Sequence, residues 1–192
     1  MVNIDKRIYA AGAYVLYDGY FVFMFGLSPK HRNNELGVVR LGGHREKGES
    51  AVECAIREVR EEASLAIDLY RNPCTYAEKK NEYVKIKGPQ EINPVLVLKY
   101  RNKYSLMYLA HGNGVLRPAM ETQGILLLRK EEIAMICPGN TTFGAYKKNG
   151  GKFILTRPLP EDATLVPHTQ LRFLNTLFAL ESKMMADFMK AR

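Results

Sequence analysis

The chain has 192 residues, 46% of them apolar, which is enough to bury one good core and predicts a single domain over residues 1–192. Its 28 Lys and Arg against 20 Asp and Glu give a net charge of +8, which favours anionic partners such as nucleotides, diphosphates or nucleic acid. Charged residues at Asp5, Lys6 and Arg7 are followed by no apolar segment long enough for a signal peptide or a membrane span, so we expect a cytoplasmic protein without a membrane partner.

The first third of the chain begins with strand patterns. Residues 8–17 and 20–27 are rich in aromatic and β-branched residues, and Asp18-Gly19 between them predicts a hairpin turn. Residues 38–41 predict a short strand that runs directly into a glycine-rich loop.

A helix is predicted over residues 50–63, because apolar residues recur there at steps of three and four. The residues of this core-facing stripe are Val52, Ala55, Ile56, Val59 and Ala63. Glu49 and Ser50 stand at its entrance, where a side-chain oxygen can accept hydrogen bonds from unpaired backbone N–H groups.

Three carboxylates share the opposite edge of this helix. Glu58, Glu61 and Glu62 are spaced i, i+3 and i+4, so their like charges repel by a few tenths of a kcal/mol per pair, roughly. Such a cluster suits a hard divalent cation, Mg²⁺ or Mn²⁺. The alternative is a solvated acidic face, on which Arg57 and Arg60 pair with neighbouring glutamates. The flexible glycine loop ahead of the helix favours a site.

Further strands are predicted over residues 66–70, 83–87, 94–100, 105–110 and 124–128, followed by a helix over about 167–190. Residues 139–151 read as a polar loop, in which Phe143, Tyr146 and Lys147 either contact a base and phosphates or form an ordinary exposed turn. Cys54, Cys74 and Cys137 are scattered and lack a C-x-x-C pair, which indicates reduced structural thiols.

Residues 43–65 resemble the signature box of the Nudix hydrolases. The matching residues, in register, are Gly43, Glu49, Arg57, Glu58, Val59, Glu61, Glu62 and Leu65. The chain departs from the box at Ser64, where the family has glycine, and Leu41 stands where many members have proline before the glycine pair. Each fixed residue is expected by chance at roughly one position in twenty, so an accidental match of this length is very improbable.

The resemblance implies an α/β fold, a Nudix-type α/β/α sandwich with a mixed β-sheet between helices. The box would form a loop-helix-loop over residues 42–65, and residues 70–150 would hold an extended strand and loop region. That region is where we expect substrate specificity to be determined.

The resemblance also implies roles for individual residues. Glu58, Glu61 and Glu62, with the backbone carbonyl of Gly42, would be the metal ligands, and Glu61 and Glu62 would be catalytic. Supporting roles would fall to the glycine turn at Gly43 and to an ion pair between Glu49 and Arg57. The general base stays open among Glu62, Glu78, Glu82 and Glu91.

By the same resemblance, the expected activity is metal-dependent hydrolysis of a phosphoanhydride bond in a nucleoside diphosphate linked to another moiety. Two alternatives remain: a non-catalytic Nudix-fold nucleotide sensor or regulator, and an RNA 5′-end pyrophosphohydrolase. The charge permits nucleic acid as a partner, but the sequence has no nucleic-acid-binding motif. Many relatives are dimers, so a homodimer is possible.

Overall fold

A computed structural model of the chain describes residues 7–27, 34–80, 82–88, 92–119 and 122–191. In chain order, its elements are β1 (Ile8–Tyr17), β2 (Tyr20–Gly26), β3 (Glu35–Val39), β4 (Leu41–His44), α1 (Ala51–Ala63), β5 (Ala66–Leu69), β6 (Thr75–Lys79), β7 (Glu82–Ile86), β8 (Leu96–Tyr100), β9 (Lys103–Asn113), β10 (Gly124–Leu128), α2 (Lys130–Ile136), α3 (Phe143–Lys148), β11 (Lys152–Leu155), β12 (Thr164–Pro167), α4 (Thr169–Leu180) and α5 (Ser182–Lys190).

These elements fall into two compact units. Unit 1 comprises Met1–Val15 and Leu41–Val115, and unit 2 comprises Leu16–Arg40 and Leu116–Arg192. Each unit contains β-strands and helices, and each includes both parallel and antiparallel strand pairs. This mixed pairing confirms the predicted α/β class.

The strands of unit 1 are covered by the predicted box helix. They follow the order β1-β9-β8-β6-β7, with β4 paired to β1 and β5 paired to β9. The β6–β8 pair is parallel, whereas β4 on β1 and β8 on β9 are antiparallel. Helix α1 packs on β4, β5 and β9. The residues that it buries are Ala51, Cys54, Ala55, Val59 and Ala63.

In unit 2 the strands follow the order β11-β10-β2-β3-β12, and only β3 and β12 pair in parallel among the described strands of the unit. Helix α4 packs on β3 and β12 and contacts α2 and α5. The ring of Phe21 in β2 meets Phe178 of α4 edge-on at 5.7 Å and lies 6.2 Å from Phe188 of α5. Such aromatic pairs contribute about 0.5–1.5 kcal/mol beyond the area that they bury.

The strands and the box helix predicted from the sequence are present. Asp18 and Gly19 have φ values of 49° and 79°, the left-handed values that a two-residue hairpin turn of type I′ needs. The short strand predicted over residues 38–41 is instead divided between β3 and β4, with Arg40 between them. The short elements β6, α2, β11 and β12 were not predicted, because a stretch of four to seven residues carries too little periodicity to be recognised.

The predicted C-terminal helix is two helices. Glu181, with φ −130° and ψ 50°, separates α4 from α5. Its N–H still donates to the Leu177 carbonyl at 2.9 Å, and its carbonyl accepts from the Met185 N–H at 2.9 Å. Apolar residues are buried on both sides of this break, so the hydrophobic periodicity continues across it and conceals it.

Both interpretations of residues 139–151, a loop that contacts a base and an ordinary exposed turn, are wrong for Phe143 and Tyr146. Residues Phe143–Lys148 form α3, and the side chains of Phe143 and Tyr146 are 1% and 0% exposed. The Tyr146 hydroxyl donates to the Lys152 carbonyl at 2.8 Å and lies 3.1 Å from the Leu127 carbonyl. Both rings belong to the core of unit 2 and present no face to a ligand.

Within the described residues, no helix is both long enough and apolar enough to span a membrane. The three cysteines are free and buried, as predicted for structural thiols. One domain over residues 1–192 stays a prediction.

Candidate functional site

The glycine loop leaves the sheet at the end of β4. The register of β4 on β1 pairs Gly42 with Gly12 and Gly43 with Ala11, and the N–H of Arg45 continues the pairing by donating to the Tyr9 carbonyl at 2.9 Å. Gly42 has a φ of 137°, a conformation that residues with a side chain rarely adopt. The loop therefore starts at a fixed place on the sheet of unit 1.

The helix that follows the loop begins with a capping box. The Ser50 hydroxyl accepts from the Glu53 N–H at 3.2 Å, and the Glu53 carboxylate accepts from the Ser50 N–H at 2.8 Å. Ser50 was predicted at the helix entrance, whereas Glu53 was not recognised as its partner, although Ser-x-x-Glu is the spacing that identifies this motif. The cap sets the start of α1 and therefore the direction of its carboxylate edge.

Arg57 connects the loop to the helix through a two-pronged ion pair. Its Nε donates to Oε1 of Glu49 at 2.8 Å, and its Nη2 donates to Oε2 of Glu49 at 3.0 Å. The two side chains are 24% and 12% exposed, so the pair is partly shielded from water. Hydrogen bonding to Arg57 lowers the pKa of the Glu49 carboxyl below its usual value, and the same contact raises the pKa of Arg57.

The same guanidinium also forms hydrogen bonds with two glutamates of the carboxylate edge. Its Nη1 donates to Oε1 of Glu58 at 3.0 Å and to Oε2 of Glu61 at 2.9 Å, while Nη2 donates to the His44 carbonyl at 2.9 Å. Arg57 thus offsets part of the repulsion expected from the spacing of the glutamates. Since several carboxylates share this one guanidinium, the cluster keeps a net negative charge on a chain that is positive as a whole.

Two of the carboxylates contact the loop glycines. A Cβ added to Gly43 would lie 2.4 Å from Oε2 of Glu58, so only glycine leaves room for this carboxylate. The Gly42 N–H donates to Oε2 of Glu62 at 2.6 Å, which ties the far end of the box helix back to the strand end. The structure therefore brings Glu58 to Gly43 and Glu62 to Gly42, whereas Glu61 contacts Arg57.

The donor chemistry of this cluster fits a hard divalent cation. Carboxylate oxygens and a glycine carbonyl are the ligands that Mg²⁺ and Mn²⁺ prefer, and the close approach of Glu58 to Gly43 is the kind of cradle that a side chain would block. In the part of the chain that the structure describes, no three acidic, His or Cys side chains already converge into a metal-binding group. Arg57 lies between Glu58 and Glu61 instead.

Cys54 lies beneath this loop but is not reactive. Its side chain is 0% exposed, and burial raises the pKa of the thiol to about 11. The Sγ atom approaches the Gly43 carbonyl at 3.7 Å, which is a weak contact. A thiol held protonated in this way is not a nucleophile at neutral pH.

The profile of the NUDIX domain matches residues 7–104, about half of the chain. The chain belongs to the NUDIX family. A search of the curated proteins finds no match. The match includes the whole Nudix box and ends within β9, so the rest of β9 and all elements after it lie outside it.

Three solved structures illustrate the structural similarity. A NUDIX-family hydrolase from Clostridium perfringens has a TM-score of 0.47 at 18% identity, over 67% of this chain and 84% of that one. An Ap4A hydrolase from C. elegans has a TM-score of 0.45 at 20% identity, over 66% and 84%. A nudix hydrolase family member from Chromobacterium violaceum has a TM-score of 0.45 at 15% identity, over 94% and 85%.

The departure from the Nudix box at Ser64 does not change the path of the chain. Ser64 follows the last residue of α1 with φ 58° and ψ 22°, the left-handed conformation, and its N–H donates to the Arg60 carbonyl at 3.0 Å. A residue with a side chain adopts this conformation at a cost of about 1–2 kcal/mol. The helix exit is therefore like that expected for glycine, at some expense in stability.

The general base of this Nudix protein stays open. Glu78 and Glu82 lie on β6 and β7, and both are exposed. Glu91 lies outside the described residues. Glu62 is held against the loop by Gly42.

Proposed function

We propose that the protein is a metal-dependent hydrolase that cleaves a phosphoanhydride bond in a nucleoside diphosphate linked to another moiety. The observation that carries the proposal is the carboxylate edge of α1. Glu58 lies against Gly43, Glu62 accepts a hydrogen bond from the Gly42 N–H, and Glu61 accepts one from Arg57. The edge keeps a net negative charge, because Glu58 and Glu61 share the one Arg57 guanidinium. A protein of this family that only bound nucleotides would be expected to lose some of these carboxylates.

In this proposal, Glu58, Glu61, Glu62 and the Gly42 carbonyl hold Mg²⁺ or Mn²⁺. When bound, the cation acts as a Lewis acid on the phosphate oxygens and lowers the pKa of a bound water. Glu61 and Glu62 would hold this cation and are the proposed catalytic residues.

The remaining residues of the box position this edge. The Arg57–Glu49 pair fastens the loop to the helix, because two parallel hydrogen bonds fix both the distance and the orientation of the two groups. Gly43 supports the proposal because its missing side chain leaves the space in which the Glu58 carboxylate lies.

The proposal is tested by release of phosphate or nucleotide from a substrate panel with Mg²⁺, with Mn²⁺ and with EDTA. The panel contains nucleoside triphosphates, nucleotide sugars, dinucleoside polyphosphates and RNA with 5′ phosphates. Wild type is compared with Glu61→Gln and Glu62→Gln, and with Glu131→Gln as the matched control, because Glu131 is an exposed residue of α2.

We expect the two box variants to lose about 100-fold or more of the metal-dependent turnover while they melt like wild type, because each change replaces a charged ligand by a neutral amide of the same shape. Glu131→Gln should retain full activity. Equal turnover in all variants would refute the ligand assignment. Silence of the wild type over the whole panel, with both metals, would favour the nucleotide sensor.

A further inference from the structure

Unit 1 contains a cleft beside the box loop. The proposed function assigns no role to the residues that line it. Its volume is about 590 Å³. The residues that define its chemistry are Tyr9, His44, Arg45, Tyr100, Arg101 and Lys103. They come from the start of β1, the end of the β4 pairing and the turn between β8 and β9.

Strand pairing explains why residues so distant in sequence meet here. His44 pairs with Ala10 across β4 and β1, which places its ring 5.6 Å from Tyr9. On the other side of β1 lies β9, and the Tyr100–Lys103 pair closes the hairpin between β8 and β9. The Lys103 Nζ therefore reaches to 5.9 Å from the Tyr9 ring.

The cleft combines positive charge with the rings of an exposed and a half-buried tyrosine. Arg45, Arg101 and Lys103 contribute cations, and no carboxylate is among the described residues that line it. Neither Arg101 nor Lys103 forms an ion pair with another residue that the structure describes. Tyr100 is 63% exposed, and the Arg101 guanidinium lies 5.7 Å from its ring.

Two parts of a nucleotide match these two properties. A phosphate is the anion for which a guanidinium and an ammonium are suited, and the π-face of a base can stack on tyrosine and arginine. An aliphatic acid would leave the tyrosine faces unused, and an uncharged aromatic ligand would leave the cations uncompensated.

The cleft also adjoins the carboxylate cluster. His44 contributes its ring to the cleft wall, while its carbonyl accepts a hydrogen bond from Nη2 of Arg57 at 2.9 Å. A ligand held in the cleft is therefore next to the loop that carries Gly42 and Gly43.

We infer that this cleft binds a nucleoside phosphate, with its phosphate on Arg101 and Lys103 and its base on the tyrosine faces. The inference rests on the proposed function in one respect, that the nucleotide bound here is part of the substrate. Binding itself needs no metal, which allows the two to be tested apart.

The test is calorimetric titration of ADP into the full chain in EDTA. Wild type is compared with Arg101→Gly, Lys103→Gln and Tyr100→Ala, and with Lys183→Gln as a control that removes one positive charge from an exposed position on α5. Arg101 has a φ of 54°, which glycine adopts readily, so Arg101→Gly removes the guanidinium without harm to the hairpin.

We expect Arg101→Gly and Lys103→Gln each to weaken ADP binding about fivefold to tenfold, since each removes a charged partner of the phosphate. Tyr100→Ala should weaken the binding of ADP but leave the affinity for inorganic pyrophosphate, titrated in the same way, unchanged. The affinity of Lys183→Gln for ADP should stay within twofold of that of wild type. ADP affinities of the cleft variants equal to that of Lys183→Gln overturn the inference, as does a wild type that does not bind ADP at millimolar concentration.

Two further experiments distinguish RNA ends from free nucleotides as the ligand, and the cleft from the proposed hydrolase activity. A short RNA with a 5′ diphosphate that binds through Arg101 and much more tightly than ADP assigns the cleft to RNA ends, whereas equal affinities assign it to free nucleotides. Arg101-dependent ADP binding without any hydrolysis supports the cleft and refutes the hydrolase. Hydrolysis that needs Glu61 and Glu62, with KM unchanged in Arg101→Gly, supports the hydrolase and refutes the cleft.

Discussion

Replacement of Arg57 by alanine tests whether one guanidinium holds the box together. Arg57 donates to both oxygens of Glu49, to Glu58, to Glu61 and to the His44 carbonyl. Its removal takes away the counter-charge of those carboxylates and one of the connections between the loop and the helix. The protein should remain folded, because the apolar face of α1 is unchanged.

The expected loss of stability follows from the exposure of each partner. The Glu61 contact, with a carboxylate that is 58% exposed, contributes about 0.3–0.5 kcal/mol. The two-pronged pair with Glu49 is partly buried and lies between the exposed and buried limits, at about 1–1.5 kcal/mol. The bond to the His44 carbonyl adds about 1 kcal/mol, and the contact with Glu58 adds about 0.5 kcal/mol. The free energy of unfolding should therefore fall by about 3 kcal/mol, which for this length lowers Tm by about 6–12 °C.

The assay is urea and thermal denaturation of Arg57→Ala, Glu49→Gln and the double variant, with Arg60→Ala as the matched control. Arg60 is exposed, lies one turn further along the same helix and forms no ion pair with any other described residue, so its loss should change stability by less than about 0.5 kcal/mol. The double-mutant cycle should give a coupling of about 1 kcal/mol between Glu49 and Arg57. A coupling near zero, or equal melting of Arg57→Ala and Arg60→Ala, would show that the pair does not brace the loop.

Three other expectations can be checked with single substitutions. Ser64→Gly should raise the free energy of unfolding by about 0.5–1 kcal/mol in urea, because glycine removes the left-handed strain but has more freedom in the unfolded chain; a fall would contradict this reading of the helix exit. Arg57 lowers the pKa of Glu49 below its ordinary 4.5, so the stability that this pair provides is complete above pH 4.5 and is lost as pH falls through the lowered folded pKa. The Tm of Glu49→Gln should accordingly fall less on acidification than the Tm of wild type. Equal slopes of Tm against pH would refute the linkage. Gly43→Ala places a Cβ 2.4 Å from the Glu58 carboxylate and should reduce Mg²⁺-dependent turnover about tenfold or more with little change in Tm. If the variant turns over as fast as wild type, Glu58 is not a ligand of the metal.

Local patterns in the sequence were sufficient for much of this structure. The spacing of Glu58, Glu61 and Glu62 is a property of any α-helix, so their common edge required no knowledge of the fold. Ser50 at the helix entrance and the Asp18-Gly19 turn are likewise determined by neighbours within a few residues. The family resemblance at residues 43–65 then predicted the pairing of Glu49 with Arg57, which the structure contains.

Contacts between distant parts of the chain were decided only by the tertiary structure. Gly42 meets Glu62, and Tyr9 meets Lys103, because strand pairing and the packing of α1 set their positions, and no local pattern encodes such a register. Phe143 and Tyr146 read as exposed loop aromatics for the same reason: burial depends on which elements of unit 2 surround them. Short-range hydrogen bonding and side-chain periodicity are thus determined by the sequence itself, whereas the cradle around Glu58 and the cationic cleft exist only once the sheet has brought separate segments together.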